Sequence, residues 1–150
     1  MAKPTVWGPH LWSVLEVIGW KSSVSRNISS IVHADMLREL RWLLLHLETI
    51  VPCSECRAHI ESYRKEHPLP SSAKDYSQWI WNLHDAVNIR LGKAASPPWS
   101  PEIGSKTHLL TVWNNYRTSI KDSIMSGKHN GAFLIEFNRH LMLWNSFTGL

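Results

Sequence analysis

HADMLRELRWLLLHLETI, residues 33–50, decides the fold class. Met36, Leu37, Leu40, Leu43, Leu44 and Leu47 recur at i, i+3 and i+4, the pattern of a helix that buries one stripe and leaves the rest to solvent. The flanking stretches read the same way. Helices are expected over roughly residues 9–20, 53–66 and 75–91, the last carrying Trp79, Ile80, Leu83, Val87 and Leu91 on one face, with Asp75 or Ser77 as its cap. No stretch alternates apolar and polar residues as a half-buried strand does. The chain is therefore expected to be all-α, a four-helix bundle over about its first hundred residues.

HPLPSSAKD, residues 67–75, is a loop between the third and fourth helices, and the run from Gly92 to Gly104, with Pro97, Pro98 and Pro101, closes the bundle section. Two further amphipathic stretches follow. One carries Leu109, Trp113, Tyr116, Ile120 and Ile124; the other, after the turn KHNG at 128–131, carries Leu134, Phe137, Leu141 and Trp144. We take residues 1–100 as the principal domain and 105–150 as a helical extension, packed on the same domain or forming a subunit interface. There is no internal repeat.

A length of 150 residues suits one domain, able to bury about two thirds of its unfolded surface without a disulfide framework. Tryptophan is the unusual component: nine, against three Phe and three Tyr. Packing accounts for such rings most simply, although a cluster of them can also wall a pocket for a flat aromatic ligand. The net charge of +4 comes from basic residues scattered along the chain rather than gathered in a stripe, which argues against nucleic-acid binding. No apolar run reaches the length of a membrane span, and MAKPTVWGPH lacks the apolar core of a signal peptide. A soluble, cytoplasmic protein with no membrane span is expected.

Cys53 and Cys56, in Pro-Cys-Ser-Glu-Cys at 52–56, are the chain's two cysteines. Pro52 favours a helix start there, and at such a start unpaired N–H groups and the positive end of the helix dipole favour thiolate over thiol. A c-type haem site needs His directly after the second cysteine, where Arg57 stands. A thioredoxin-like site expects a βαβ setting. A zinc-stabilised helical interaction module would have to recruit His59 and one more His to complete four ligands. A pair of idle core thiols is the bland alternative. Thiol oxidation remains, and it needs a redox cofactor, metal or flavin, because no side chain passes two electrons from a dithiol to oxygen.

Three blocks resemble one family. WGPHLW at 7–12, PCSECRAH at 52–59 and QWIWNLHDAVNIRLGK at 78–93 are similar, in order and separation, to the FAD-dependent sulfhydryl oxidases of the Erv/ALR type. The resemblance implies a helical bundle that holds FAD at one end against the Cys-x-x-Cys. It implies Cys53 as the outer cysteine, attacked by substrate thiolate, and Cys56 as the inner one. It further implies cofactor contacts from Trp7, Gly8, Trp12 and Glu16 in and after the first block, from His84, Asp85, Val87, Asn88, Leu91 and Lys93 in the third, and from Trp99, with no metal. His84 and Asn88, four apart, share one helical face.

The chain departs from the family pattern at Glu16, where the family usually has His, and at Asp85, where it usually has Asn; an ionised carboxylate accepts hydrogen bonds but cannot donate them. There is no third cysteine for a shuttle pair. The resemblance therefore implies that a thiol-containing protein substrate, or a thioredoxin-like carrier, reaches Cys53 directly, with oxygen as the final acceptor and hydrogen peroxide as product. The form of the first block and the missing shuttle resemble the branch encoded by large DNA viruses, which implies host cytoplasm or virion as location. Family members are commonly homodimers, so a homodimer is expected by resemblance.

Overall fold

The computed structural model describes residues 4–25, 29–94 and 96–150; residues 1–3 of the N-terminal stretch and Ala95 of the linker lie outside them. Among the described residues the fold is all-α. Its helices are α1 (Pro4–Val24), α2 (Ser30–Leu45), α3 (Ser54–Glu66), α4 (Tyr76–Arg90), α5 (Leu109–Ser119), α6 (Lys121–Met125) and α7 (Gly131–Phe147), with single 3-10 turns at Leu47–Ile50 and Ala73–Asp75. None of these helices is long and apolar enough to cross a membrane.

The stripe at 36–47 is buried as its spacing requires: Met36, Leu40, Leu43, Leu44 and Leu47 are all in the core. The expected helix over 33–50 is nevertheless two elements. At His46 the backbone leaves helical geometry, with its N–H shared between the carbonyls of Trp42 and Leu43, and side chains bond to carbonyls around the break. His46 Nδ1 reaches Trp42 O at 2.8 Å, Arg64 donates to Leu44 O at 3.0 Å, and Thr49 donates to His46 O at 2.6 Å. The 3-10 turn that follows keeps Leu47 and Ile50 buried while changing the chain's direction. Periodicity survives this change, so the sequence pattern alone does not reveal it.

The first helix begins five residues earlier than expected. Pro4 holds the first helical position, where its missing N–H costs nothing, and Pro9 is tolerated inside the helix. The stretch from Leu109 to Ile124 is broken at Ile120, which closes α5 and precedes α6. Asp75 occupies the position before α4 but makes no side-chain cap; Ser29 and Asn130 do cap α2 and α7, accepting from Val32 N and Ala132 N.

Helix α1 lies between α4 and α5, and α2 pairs with α7. Two glycines set this spacing. A Cβ on Gly19 would stand 2.8 Å from Ser77 Cα, so α1 and α4 approach more closely than any other residue allows. Gly104, at φ +88, lets the linker cross α1 where a side chain would strike Glu16 O at 2.4 Å. The last helices complete the core: Trp113 and Tyr116 of α5 and Phe137, Leu141 and Trp144 of α7 are buried. Their polar atoms are satisfied, Trp113 Nε1 by Asn138 Oδ1 at 2.7 Å and Trp144 Nε1 by Ser22 Oγ at 3.1 Å.

Candidate active site

The start of α3 carries the dithiol. Cys53 is the residue before the helix, and its Sγ accepts the N–H of Cys56 at 3.3 Å, the role an N-cap side chain plays. Both sulfurs are free thiols and both residues are half-buried. Cys56 is turned into a cleft of about 720 Å³ that Cys53 does not line. The expectation of an easily ionised pair is corrected for Cys56. Burial first, then the adjoining Cys53, push its thiol up to about 11, while the Arg90 guanidinium pulls the other way. A helix start favours thiolate, but an apolar wall opposes it, and at Cys56 the wall prevails.

The cleft lies between the first half of α1, the second half of α4 and the face of α3. Of the residues singled out from the sequence, Trp7, Gly8, Trp12, Glu16, Cys56, His84, Val87, Asn88, Leu91 and Lys93 line it together. Trp12 and His84 stack across the α1–α4 boundary with ring centroids 4.1 Å apart and planes 10° from parallel. Asn88 donates to Ser96 Oγ at 3.0 Å, fastening α4 to the linker. Asp85 and Trp99 do not line the cleft. Asp85 exerts its charge on His84 and Tyr63, and Trp99 donates to Ser77 Oγ at 3.3 Å, two turns before His84 on α4.

Burial sets the charge of the site. It pushes the Glu16 carboxyl up toward its neutral form, which can donate. Burial also lowers His84, with Lys93 adding to the effect and Asp85 opposing it. Lys93 near His84 and Arg90 near Cys56 add positive charge to the lining of the cleft.

His59 and Arg90 are among the lining residues that had no cofactor role assigned from the sequence. His59 was considered only as a zinc ligand, and Arg90 stood in the third block with no role of its own. His59 Nδ1 is buried with no hydrogen-bond partner among the described residues, and burial, then the charge of Arg90, lower the ring's pKa. Position within the second and third blocks was the available signal for both. Among the described residues no group of three or more His, Cys, Asp or Glu converges to hold a metal ion, so the zinc module lacks a ligand set.

These features fit a large planar cofactor with an anionic tail. The volume falls in the usual range for ligand pockets, stacked rings flank it, the buried Nδ1 of His59 awaits a partner, and open space stands where a side chain on Gly8 would project. An all-α protein that sets a Cys-x-x-Cys dithiol against such a cleft is, by class, a cofactor-linked dithiol oxidoreductase. The chain belongs to the Erv1/Alr family, whose profile matches residues 10–109.

The chain is 27% identical over 120 residues to the FAD-linked sulfhydryl oxidase of African swine fever virus (isolate Pig/Kenya/KEN-50/1950), an alignment covering 79% of this chain and 83% of that protein. It is 28% identical over 102 residues to the putative FAD-linked sulfhydryl oxidase 347L of Invertebrate iridescent virus 6, covering 63% and 86%. It is 33% identical over 61 residues to the FAD-linked sulfhydryl oxidase ERV1 of Oryza sativa subsp. japonica, covering 40% and 31%. No solved structure matches the chain.

Proposed function

We propose that the chain is an FAD-dependent thiol oxidase that forms disulfides in protein substrates and passes the electrons to oxygen, giving hydrogen peroxide. The carrying observation is the unequal placement of the pair: Cys56 lines the cleft and Cys53 does not. A substrate thiolate attacks Cys53 Sγ of the oxidised pair. The Cys53–Cys56 bond breaks, Cys56 Sγ departs with the electron pair, and a mixed disulfide joins substrate to Cys53. The substrate's second thiolate then attacks the substrate sulfur of that bond and releases Cys53. The substrate has lost two electrons and the cysteine pair has gained them. Cys56 Sγ, pushed up to about 11, holds a proton in the reduced state, and Arg90 beside it eases its departure as thiolate.

FAD, when bound, supplies the two-electron acceptor that oxygen then reoxidises. Trp7, Gly8, Trp12, Glu16, His84, Val87, Asn88, Leu91 and Lys93 are the residues we assign to hold it, with His59 as an added contact. Asp85 and Trp99 act from outside the wall, through the charge on His84 and the packing of the linker on α4. Lys93 suits the pyrophosphate, Arg90 lies beside Cys56, and the protonated form of Glu16, which burial favours, can donate where an ionised carboxylate could not.

With two cysteines in its length, the chain takes electrons from a protein thiol or a thioredoxin-like carrier directly at Cys53. Residues 1–100 form the oxidase domain and 105–150 an extension on it. A homodimer in host cytoplasm or virion completes the reading, supported by the likeness to viral relatives. Purified protein should be yellow, should consume dithiothreitol and should release one peroxide per disulfide formed. A colourless protein that leaves dithiothreitol unconsumed in air would contradict the proposal.

A further inference from the structure

Three successive carbonyls lead into the dithiol, and each accepts a side-chain hydrogen bond. Thr49 O accepts from His129 Nε2 at 2.8 Å, Ile50 O from the Tyr116 hydroxyl, and Val51 O from Arg57 at 2.8 Å. Arg57 belongs to the Cys-x-x-Cys block itself. Tyr116 and His129 come from α5 and from the turn before α7, beyond the residues 10–109 that the family profile matches. Both are buried. A carbonyl acceptor requires that a neutral His129 carry its proton on Nε2; burial lowers the ring's pKa, with the Thr49 carbonyl opposing and Arg57 adding to the effect. The Tyr116 ring meets Trp7 of the cleft wall edge-on at 6.5 Å and lies close enough to feel the charge of Cys56. One residue thus touches both the cleft wall and the backbone that precedes Cys53.

We propose that Tyr116 and His129 are positioning residues for the redox pair: by holding the Ile50 and Thr49 carbonyls they fix the segment from which Cys53 and Cys56 project, and so set how readily the two sulfurs join. The proposal rests on the reading of Cys53–Cys56 as the redox pair. A fixed backbone raises the effective concentration of one thiol at the other and favours the disulfide. Releasing a carbonyl loosens that constraint, so the variants should be reduced more readily.

The test is a thiol–disulfide equilibrium with glutathione, read by alkylation of the protein as purified, without oxygen. Two glutathione thiols reduce the Cys53–Cys56 bond, their sulfurs join as glutathione disulfide, and their two protons end on the cysteines. Tyr116→Phe, which keeps the ring and removes the donor, and His129→Ala should each shift this equilibrium about tenfold toward the dithiol, or about 30 mV for a two-electron couple. His129→Gln, which restores an N–H donor, should recover most of the shift. Ser22→Ala is the control: it removes the buried bond from Trp144 at the far end of α1 and should leave the equilibrium within twofold. Tyr116→Phe and His129→Ala values no further from wild type than the control, in proteins of equal melting temperature, would overturn the proposal. If one of the two fails to fold, the other decides. Absence of flavin from the wild type would count against the oxidase reading instead, since this equilibrium is read on the cysteines alone.

Discussion

Cys56 and Glu16 each carry a shift that changes what they can do. Cys53 contributes to holding the Cys56 proton in place, through both its hydrogen bond and its charge. Cys53→Ser removes that charge, so the Cys56 pKa should fall from about 11 toward the ordinary range. The pH profile of iodoacetamide alkylation reads this directly; an unmoved profile would show that burial alone sets the value. Glu16 has its pKa raised by burial from the usual 4.5, so the folded state must accept an unfavourable charge once pH exceeds its folded pKa. Below 4.5 the group is protonated folded or unfolded and costs nothing. Glu16→Gln should therefore gain stability as pH rises above 4.5, by up to about 1 kcal/mol for a half-buried carboxylate, and gain none in acid. Urea melts at two pH values test the sign. That Glu16 sits in the cleft was legible through the resemblance, four residues past the first block. That it leans toward neutral was not, because burial is a property of the folded walls.

At the scale of elements, the stripe 36–47, the Cys-x-x-Cys helix start and the α4 face from His84 to Leu91 were all legible, because each depends on spacing within one helix. The break at His46 and the break at Ile120 were not. Both preserve the apolar register, and at His46 the deciding partners include Arg64, eighteen residues downstream, whose guanidinium takes Leu44 O. The same limit hid the partners of the last helices. Their apolar faces were evident, but only the fold shows that α5 covers α1 and α7 covers α2. Trp113 and Trp144 are fully buried, and replacing either by Ala should cost about 3–5 kcal/mol. Deleting residues 105–150 should leave the apolar faces of α1 and α2 bare and give an unfolded or aggregated product. Thermal melts and circular dichroism check both, and a stable, helical truncated protein would show that the extension is dispensable to the core.

For the whole molecule, three histidines bind fewer protons folded than unfolded: His84 and His59 at the cleft and His129 on the turn before α7. Their pKa values lie below the ordinary 6.5, chiefly through burial. The sign follows directly. Above 6.5 they are neutral in both states and contribute nothing; below it the unfolded chain takes protons first and is favoured. Stability should therefore fall as pH drops below about 6.5, with Glu16 opposing part of the loss in the more acidic range. Denaturant midpoints from pH 8 to 5 should show that decline, and a midpoint that rises toward pH 5 would contradict it. The same cleft and dithiol account for function only if electrons cross from one to the other through Cys56. Anaerobic dithiothreitol should bleach the visible flavin absorbance of the wild-type protein, whereas Cys56→Ser, with its flavin still bound, should keep its colour. Bleaching of the Cys56→Ser protein at the wild-type rate, or a wild type with no flavin to bleach, would contradict the account.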